Sequence, residues 1–149
     1  MESVSEQIGT EFNAVVGWGY FSHYFTEIDY QNGVFNLYKT SPESTETLSG
    51  VRFNTDAGPL IFSATLNNKE VNLMLDTGSP VSVFDPSKAD ISAVDDVQFT
   101  VNNQVVKVAK YEQDLSVLAD LGVVGIVGGD FLAQYKVLID PKNKRLYLL

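Results

Sequence analysis

The amino-acid sequence predicts a mainly β protein, and three observations support that prediction. Residues 59–75 carry strand patterns on both sides of Asn67-Asn68, and residues 97–109 repeat this arrangement around Asn102-Asn103. Short asparagine turns between such segments are typical of β-hairpins. Helix signals are sparse along all 149 residues, so strands joined by turns account for most of the expected structure.

The C-terminal part supplies the remaining predicted elements. Residues 115–127 are apolar and punctuated by glycine, and residues 130–135 are long enough for one or two helical turns. Residues 136–140 and 145–149 have strand patterns on either side of a turn that contains a proline. We therefore expect a final hairpin preceded by a short helix.

Composition and charge exclude several function classes. The net charge is −9, and residues 1–50 hold seven acidic side chains and a single basic one, Lys39. Nucleic acid is therefore not an expected partner, because phosphate binding needs a basic surface. No apolar run approaches the ~20 residues that cross a bilayer. The chain has no cysteine, and it lacks the spacing of a phosphate loop or a calcium loop, so we expect no metal and no other cofactor.

The N-terminal residues 1–6 lack the basic and apolar regions of a signal peptide. We expect a soluble protein, and the sequence does not indicate its cellular compartment. It would be extracytoplasmic if a signal peptide has been removed.

A polar run at residues 40–50 divides the chain, and it is typical of an exposed linker. Residues 14–38 align with residues 125–149 without a gap. The identical pairs are Val16/Val127, Gly17/Gly128, Tyr24/Tyr135, Ile28/Ile139, Asp29/Asp140, Asn32/Asn143 and Leu37/Leu148. This pattern predicts an internal duplication. Residues 1–39 would be the closing half of a preceding unit, and residues 51–149 would be a complete second unit.

Asp76 follows an apolar run and precedes Thr77 and Gly78, after which the chain turns apolar again. Two carboxylates held a few ångströms apart share a proton, so one can activate water while the other protonates a peptide carbonyl. A threonine hydroxyl can join two facing loops, and glycine lets backbone N–H groups approach a carboxylate. Ser79 or Ser82 could add a donor to the outer carboxylate oxygen. The pattern therefore favours half of a carboxylate pair over a plain surface turn.

Residues 75–83, followed by residues 125–132 and the strand at 137–140, resemble the retropepsin-like aspartic proteases, which are kin to the lobes of pepsins. The resemblance implies an acid-protease closed β-barrel lobe with a short helix, preceded by the C-terminal part of a duplicated lobe. It implies that Asp76 is the catalytic carboxylate and that Thr77 and Gly78 complete its loop. It also implies that Ile126, Val127 and Gly128 support that loop from behind. From their place beside the loop, we expect Ser79 and Ser82 to support the loop or the substrate.

The resemblance implies an aspartic endopeptidase that acts on a peptide or protein substrate. Such a site needs two Asp-Thr-Gly loops, and this chain has one. The partner would be a second copy in a homodimer or an upstream lobe. The segment between Phe84 and Val97 has no glycine and leaves little room for the hairpin flap of the family. A non-catalytic module of the same fold that binds a peptide or protein is the alternative. In a further interpretation, residues 1–39 fold onto the second unit, with a strand beside Tyr147.

Overall fold

The computed structural model describes residues 14–42, 45, 48–91 and 94–149. The predictions that concern residues 1–13, and those for parts of the linker, lie outside these residues. The described strands are β1 (Phe25–Asp29), β2 (Val34–Tyr38), β3 (Val51–Asn54), β4 (Leu60–Leu66), β5 (Lys69–Leu75), β6 (Val83–Phe84), β7 (Asp96–Val101), β8 (Gln104–Ala109), β9 (Val123–Val127), β10 (Val137–Asp140) and β11 (Arg145–Leu148). The helices are α1 (Trp18–Phe21), a 3-10 helix (Ser116–Leu121) and α2 (Gly129–Leu132).

The strands form one sheet, and the predicted mainly β class is confirmed. Its order is β2-β1-β10-β11-β3-β4-β5-β9-β6, with β7 pairing with β4 and with β8. Both asparagine-turn hairpins form, as β4–β5 and β7–β8. All four turn asparagines have positive φ values of 48° to 67°, a backbone region that asparagine tolerates better than most residues.

The sheet differs from the predicted closed barrel in one respect. Among the described residues, its path is open and runs from β2 at one end to β6 at the other. The added β1–β2 hairpin lies on the edge of β10 and extends the sheet instead of closing it.

The core lies between β4, β5, β7 and the segment that follows β9. Phe131 of α2 is fully buried, and its ring lies 6.0 Å from that of Phe62 and 6.2 Å from that of Phe99. Offset aromatic pairs of this kind add about 1 kcal/mol each to the burial of their apolar area. The packing fixes α2, and with it the end of β9, against the strand pair that carries Asp76.

Residues 14–38 and 125–149 have the same local construction. Helix α1 begins after Gly17, and α2 begins after Gly128. Each helix is followed by an antiparallel hairpin whose turn an aspartate closes. Asp29 accepts hydrogen bonds from the backbone and side-chain nitrogens of Asn32 at 3.0 and 2.8 Å. The corresponding bonds from Asn143 to Asp140 measure 2.9 and 2.8 Å.

The two hairpins meet through β1 and β10. Glu27 pairs with Leu138 at the centre of this contact, and Thr26 pairs with Ile139. If each residue is replaced by the residue aligned with it, the same set of strand pairs results. The contact between β1 and β10 therefore has the symmetry of a two-fold axis. Residues 14–38 thus join the sheet that residues 51–149 form. They do so on β10 and not beside Tyr147, because β11 uses its other edge to pair with β3.

Candidate active site

The end of β5 positions Asp76. Strand β5 runs parallel to β9, with Leu75 opposite Val127 and Met74 opposite Ile126. The Asp76 amide donates to the Val127 carbonyl over 3.0 Å, so the last bond of the strand pair fixes the backbone of the aspartate itself. The second motif, Ile126-Val127-Gly128, which the family resemblance implies as a support of the first motif, Asp76-Thr77-Gly78, therefore lies directly behind the Asp76 loop.

The loop folds back onto the Asp76 carboxylate. The Gly78 amide donates to Asp76 Oδ1 over 2.8 Å, and the Ser79 amide donates to the Asp76 carbonyl over 3.2 Å. Asp76 is half-buried, whereas Thr77 and Gly78 are exposed. One carboxylate oxygen thus has a backbone donor, and the threonine and glycine of the loop are open to solvent.

The serine hydroxyls do not donate to Asp76, in contrast to the interaction that the sequence suggested. Ser79 Oγ donates to the Val81 carbonyl over 2.7 Å. Ser82 is fully buried; its Oγ donates to Asp130 over 2.6 Å and accepts from the Gly128 amide over 3.2 Å. Both serines fix the loop to itself or to α2, which makes them supports of the loop.

Gly128 is the point where the two motifs touch. A Cβ atom there would lie 2.4 Å from the Ser79 carbonyl oxygen and 2.8 Å from that of Val81. The Gly129 amide also donates to the Ser79 carbonyl over 2.8 Å. Only glycine permits this close approach of the backbones.

A cavity of about 320 Å³ opens beside Asp76 and Thr77. Its remaining wall is mostly apolar and comes from both aligned segments and from the turn before β4. The apolar side chains that line it include Trp18, Phe21, Ile28, Phe35, Leu60 and Ile139. A half-buried carboxylate at the edge of an apolar cavity is a common arrangement in binding and catalytic sites.

Sequence reasoning missed Tyr30. Its hydroxyl donates to the Thr77 carbonyl over 3.1 Å. Partial burial, together with the negative charge of Asp76, raises the pKa of the Tyr30 phenol above its usual value. The available signal was its place in the shared Ile-Asp-x-x-Asn turn, where the aligned segment has Pro141.

Asp85 anchors the segment in which the family resemblance implies a flap. Its buried carboxylate accepts from the Ser87 hydroxyl at 2.6 Å, from the Ser87 amide at 2.9 Å and from the Leu115 amide at 3.2 Å. Lys88 Nζ lies 3.3 Å away. The chain turns tightly here, with the Ala89 amide donating to the Asp85 carbonyl. Residues 85–91 therefore form a compact turn.

These contacts predict an acid-sensitive contribution to stability. The Ser87 hydroxyl bond is the largest cause that lowers the Asp85 pKa from 3.8 to about 2. A lowered pKa stabilises the fold above the unfolded-state value, and this contribution is lost as the pH falls through the folded-state value. We expect the free energy of unfolding of Asp85→Asn, measured in urea, to approach that of the wild type between pH 3.8 and about 2. A stability difference that stays constant across this window would contradict the assignment.

The described residues hold no group of three or more histidine, cysteine, aspartate or glutamate side chains placed to bind a metal ion. Among the same residues, no helix is long and apolar enough to cross a membrane.

Comparison with known proteins gives structural matches only. No protein-family model matches the chain, and no curated protein matches it. Structures similar to the chain are retropepsin-like protease domains. One is the retroviral protease-like domain of Ddi1 from Leishmania major, with 16% identity and a TM-score of 0.45, covering 68% of this chain and 95% of that one.

A second similar structure is a retropepsin-like aspartic protease from Rickettsia conorii. It has 18% identity and a TM-score of 0.44, and it covers 65% of this chain and 84% of the other.

Proposed function

We propose that this chain supplies one half of an aspartic endopeptidase site, with Asp76 as its catalytic carboxylate. One observation carries the proposal. Asp76 lies at the edge of an apolar cavity, at the end of the parallel strand pair β5–β9, with a backbone amide on one carboxylate oxygen. A surface turn has no need of such support from Val127, Gly128 and Ser82.

The chemistry follows from a pair of carboxylates. With a second aspartate facing Asp76, the two groups share a proton. The ionised member takes a proton from a bound water as that water attacks the peptide carbonyl, and the protonated member donates to the carbonyl oxygen. Thr77 and Gly78 are exposed, so both are accessible to a second loop. The apolar wall of the cavity suits an apolar side chain of a peptide substrate.

The second carboxylate comes either from another copy of the chain or from a preceding unit. The open face of residues 14–38 supports this. Carbonyl groups of Ser79 and Val81 cover Gly128, whereas a Cβ atom at Gly17 would meet nothing within 4 Å. Val16 is 54% exposed, whereas the aligned Val127 is fully buried. Among the residues that the structure describes, no loop packs on Gly17 as residues 79–81 pack on Gly128.

The dependence of peptide cleavage on chain concentration tests the half-site. If another copy supplies the second aspartate, the rate per mole of chain rises with concentration until all chains are paired. A hydroxyl-bearing mimic of the tetrahedral intermediate should inhibit this cleavage. A rate per chain that stays constant down to the lowest concentration would show that a single Asp76 loop is enough, and would contradict the half-site.

A non-catalytic module that binds a peptide or protein is the second candidate. The compact turn at residues 85–91 and the single Asp-Thr-Gly loop favour it. A folded chain that stays monomeric and cleaves no peptide at any concentration, yet binds peptides in competition with the transition-state mimic, would support this candidate.

A further inference from the structure

We propose that Tyr30 is a positioning residue for Asp76, acting through the peptide group between Thr77 and Gly78. The carbonyl of this group accepts from the Tyr30 hydroxyl over 3.1 Å. The N–H of the same group donates to Asp76 Oδ1 over 2.8 Å. The carbonyl and the N–H of a trans peptide point in opposite directions in one plane. A bond that holds the carbonyl therefore also aims the N–H at the carboxylate.

The turn that carries Tyr30 is held in place on both sides. Asp29 is buried and accepts both hydrogen bonds from Asn32, and Lys136 Nζ lies 3.6 Å from its carboxylate. Gln31 Nε2 donates to the Ala133 carbonyl over 2.9 Å, just after α2. The turn thus contacts both the Asp76 loop and the end of α2 behind that loop. These contacts hold the backbone of Tyr30 in place while its hydroxyl binds the Thr77 carbonyl.

The aligned turn at residues 140–143 has no hydroxyl that could make the Tyr30 contact. Pro141 occupies the position of Tyr30, and Lys142 occupies that of Gln31. The framework of the turn is the same in both copies, with Asn143 on Asp140. The tyrosine is therefore not needed to form the turn, and its hydroxyl interacts with the Asp76 loop instead.

The protonation state of Tyr30 is consistent with this role. A donor to the Thr77 carbonyl must keep its proton, and the Asp76 charge favours the neutral phenol. Hydrogen bonds in a chain polarise one another. The Tyr30 hydroxyl, the 77–78 peptide group and the Asp76 carboxylate form such a chain of three groups.

Tyr30→Phe tests the proposal without any assay of activity. The variant keeps the ring and removes the donor, so we expect the Gly78 amide to exchange its hydrogen about fivefold faster, as for the loss of a bond worth about 1 kcal/mol. The Asn143 amide, which also donates to an aspartate, should not change. Tyr20→Phe is the matched control, because Tyr20 is exposed in the same segment. An unchanged Gly78 exchange rate in a folded Tyr30→Phe protein would overturn the proposal.

Titration of the Tyr30 phenol, followed by NMR with labelled tyrosine, supplies a second readout that a purely structural role would not change. We expect Asp76→Asn to lower its pKa towards the usual value for tyrosine, and Asp120→Asn, at an exposed site, to leave it unchanged. Equal phenol pKa values in the wild type and Asp76→Asn would contradict the coupling. Where peptide cleavage is measurable, Tyr30→Phe should lower kcat and leave KM unchanged. That catalytic consequence rests on the proposed function, whereas the exchange and titration results do not.

Discussion

Gly128→Ala is expected to destabilise the protein by about 3 kcal/mol or more, because the new methyl group has no space. Its Cβ atom would lie 2.4 Å from the Ser79 carbonyl oxygen and 2.8 Å from that of Val81. Both neighbours are backbone atoms, so the strain cannot be relieved by turning a side chain. The chain at residues 79–81 must move, and Asp76 moves with it. Urea unfolding of the purified variant measures this loss.

Gly17→Ala is the matched control for that substitution. Gly17 precedes α1 as Gly128 precedes α2, but a Cβ atom there would meet nothing within 4 Å. We expect its free energy of unfolding to stay within about 0.5 kcal/mol of the wild type. Equal effects of the two alanine substitutions would contradict the contact between the two motifs.

Asp76→Asn is expected to lower kcat/KM for peptide cleavage by about 10³-fold or more, since an amide can neither take a proton from water nor return one. The fold should survive the change. In the wild type, the Gly78 amide donates to Asp76 Oδ1. The side-chain carbonyl of an asparagine can accept the same hydrogen bond. Loss of activity with an unchanged unfolding curve would therefore assign the effect to chemistry.

Asp120→Asn controls for the change of one surface charge. Asp120 is exposed on the 3-10 helix, so this variant should cleave as the wild type does. Equal cleavage by the wild type and Asp76→Asn would remove the basis for placing the catalytic carboxylate at this loop.

Local patterns explain why much of the fold could be predicted. Asn67-Asn68 and Asn102-Asn103 are turn residues between strand patterns, and the information for such hairpins is local. The final hairpin and the helix before it also follow from local signals. Closure of a sheet depends instead on which edges remain free. The position of β1 on the edge of β10 depends on contacts between segments far apart in the chain.

In the candidate site too, some features follow from local sequence and others depend on long-range contacts. The sequence pattern singled out Asp76, and the resemblance to the retropepsin-like proteases singled out Ile126, Val127 and Gly128; both sets consist of contiguous residues. Their contact depends on the parallel pairing of β5 and β9. The partners of Ser82 depend on the same long-range contact, so its bond to Asp130 could not be read from the order of the residues.

Tyr30 shows a second limit of sequence reasoning. The alignment of the two segments drew attention to the residues that agree, such as Asp29 and Asn32. The residue that reaches the Asp76 loop is one that differs between the two aligned segments. A comparison of unlike positions within the shared turn would have found it, since a tyrosine in place of a proline adds a hydrogen-bond donor.

The central claim is that Asp76 is catalytic and needs a second aspartate from a partner. Peptide cleavage by the wild type, by Asp76→Asn and by an equal mixture of the two, at one total concentration, tests it most directly. With random pairing, the mixture should show about a quarter of the wild-type rate, because only wild-type pairs hold two aspartates. Asp76→Asn alone should show no cleavage. A mixture at about half the wild-type rate, as expected for chains that act singly, or full cleavage by Asp76→Asn, would contradict the claim.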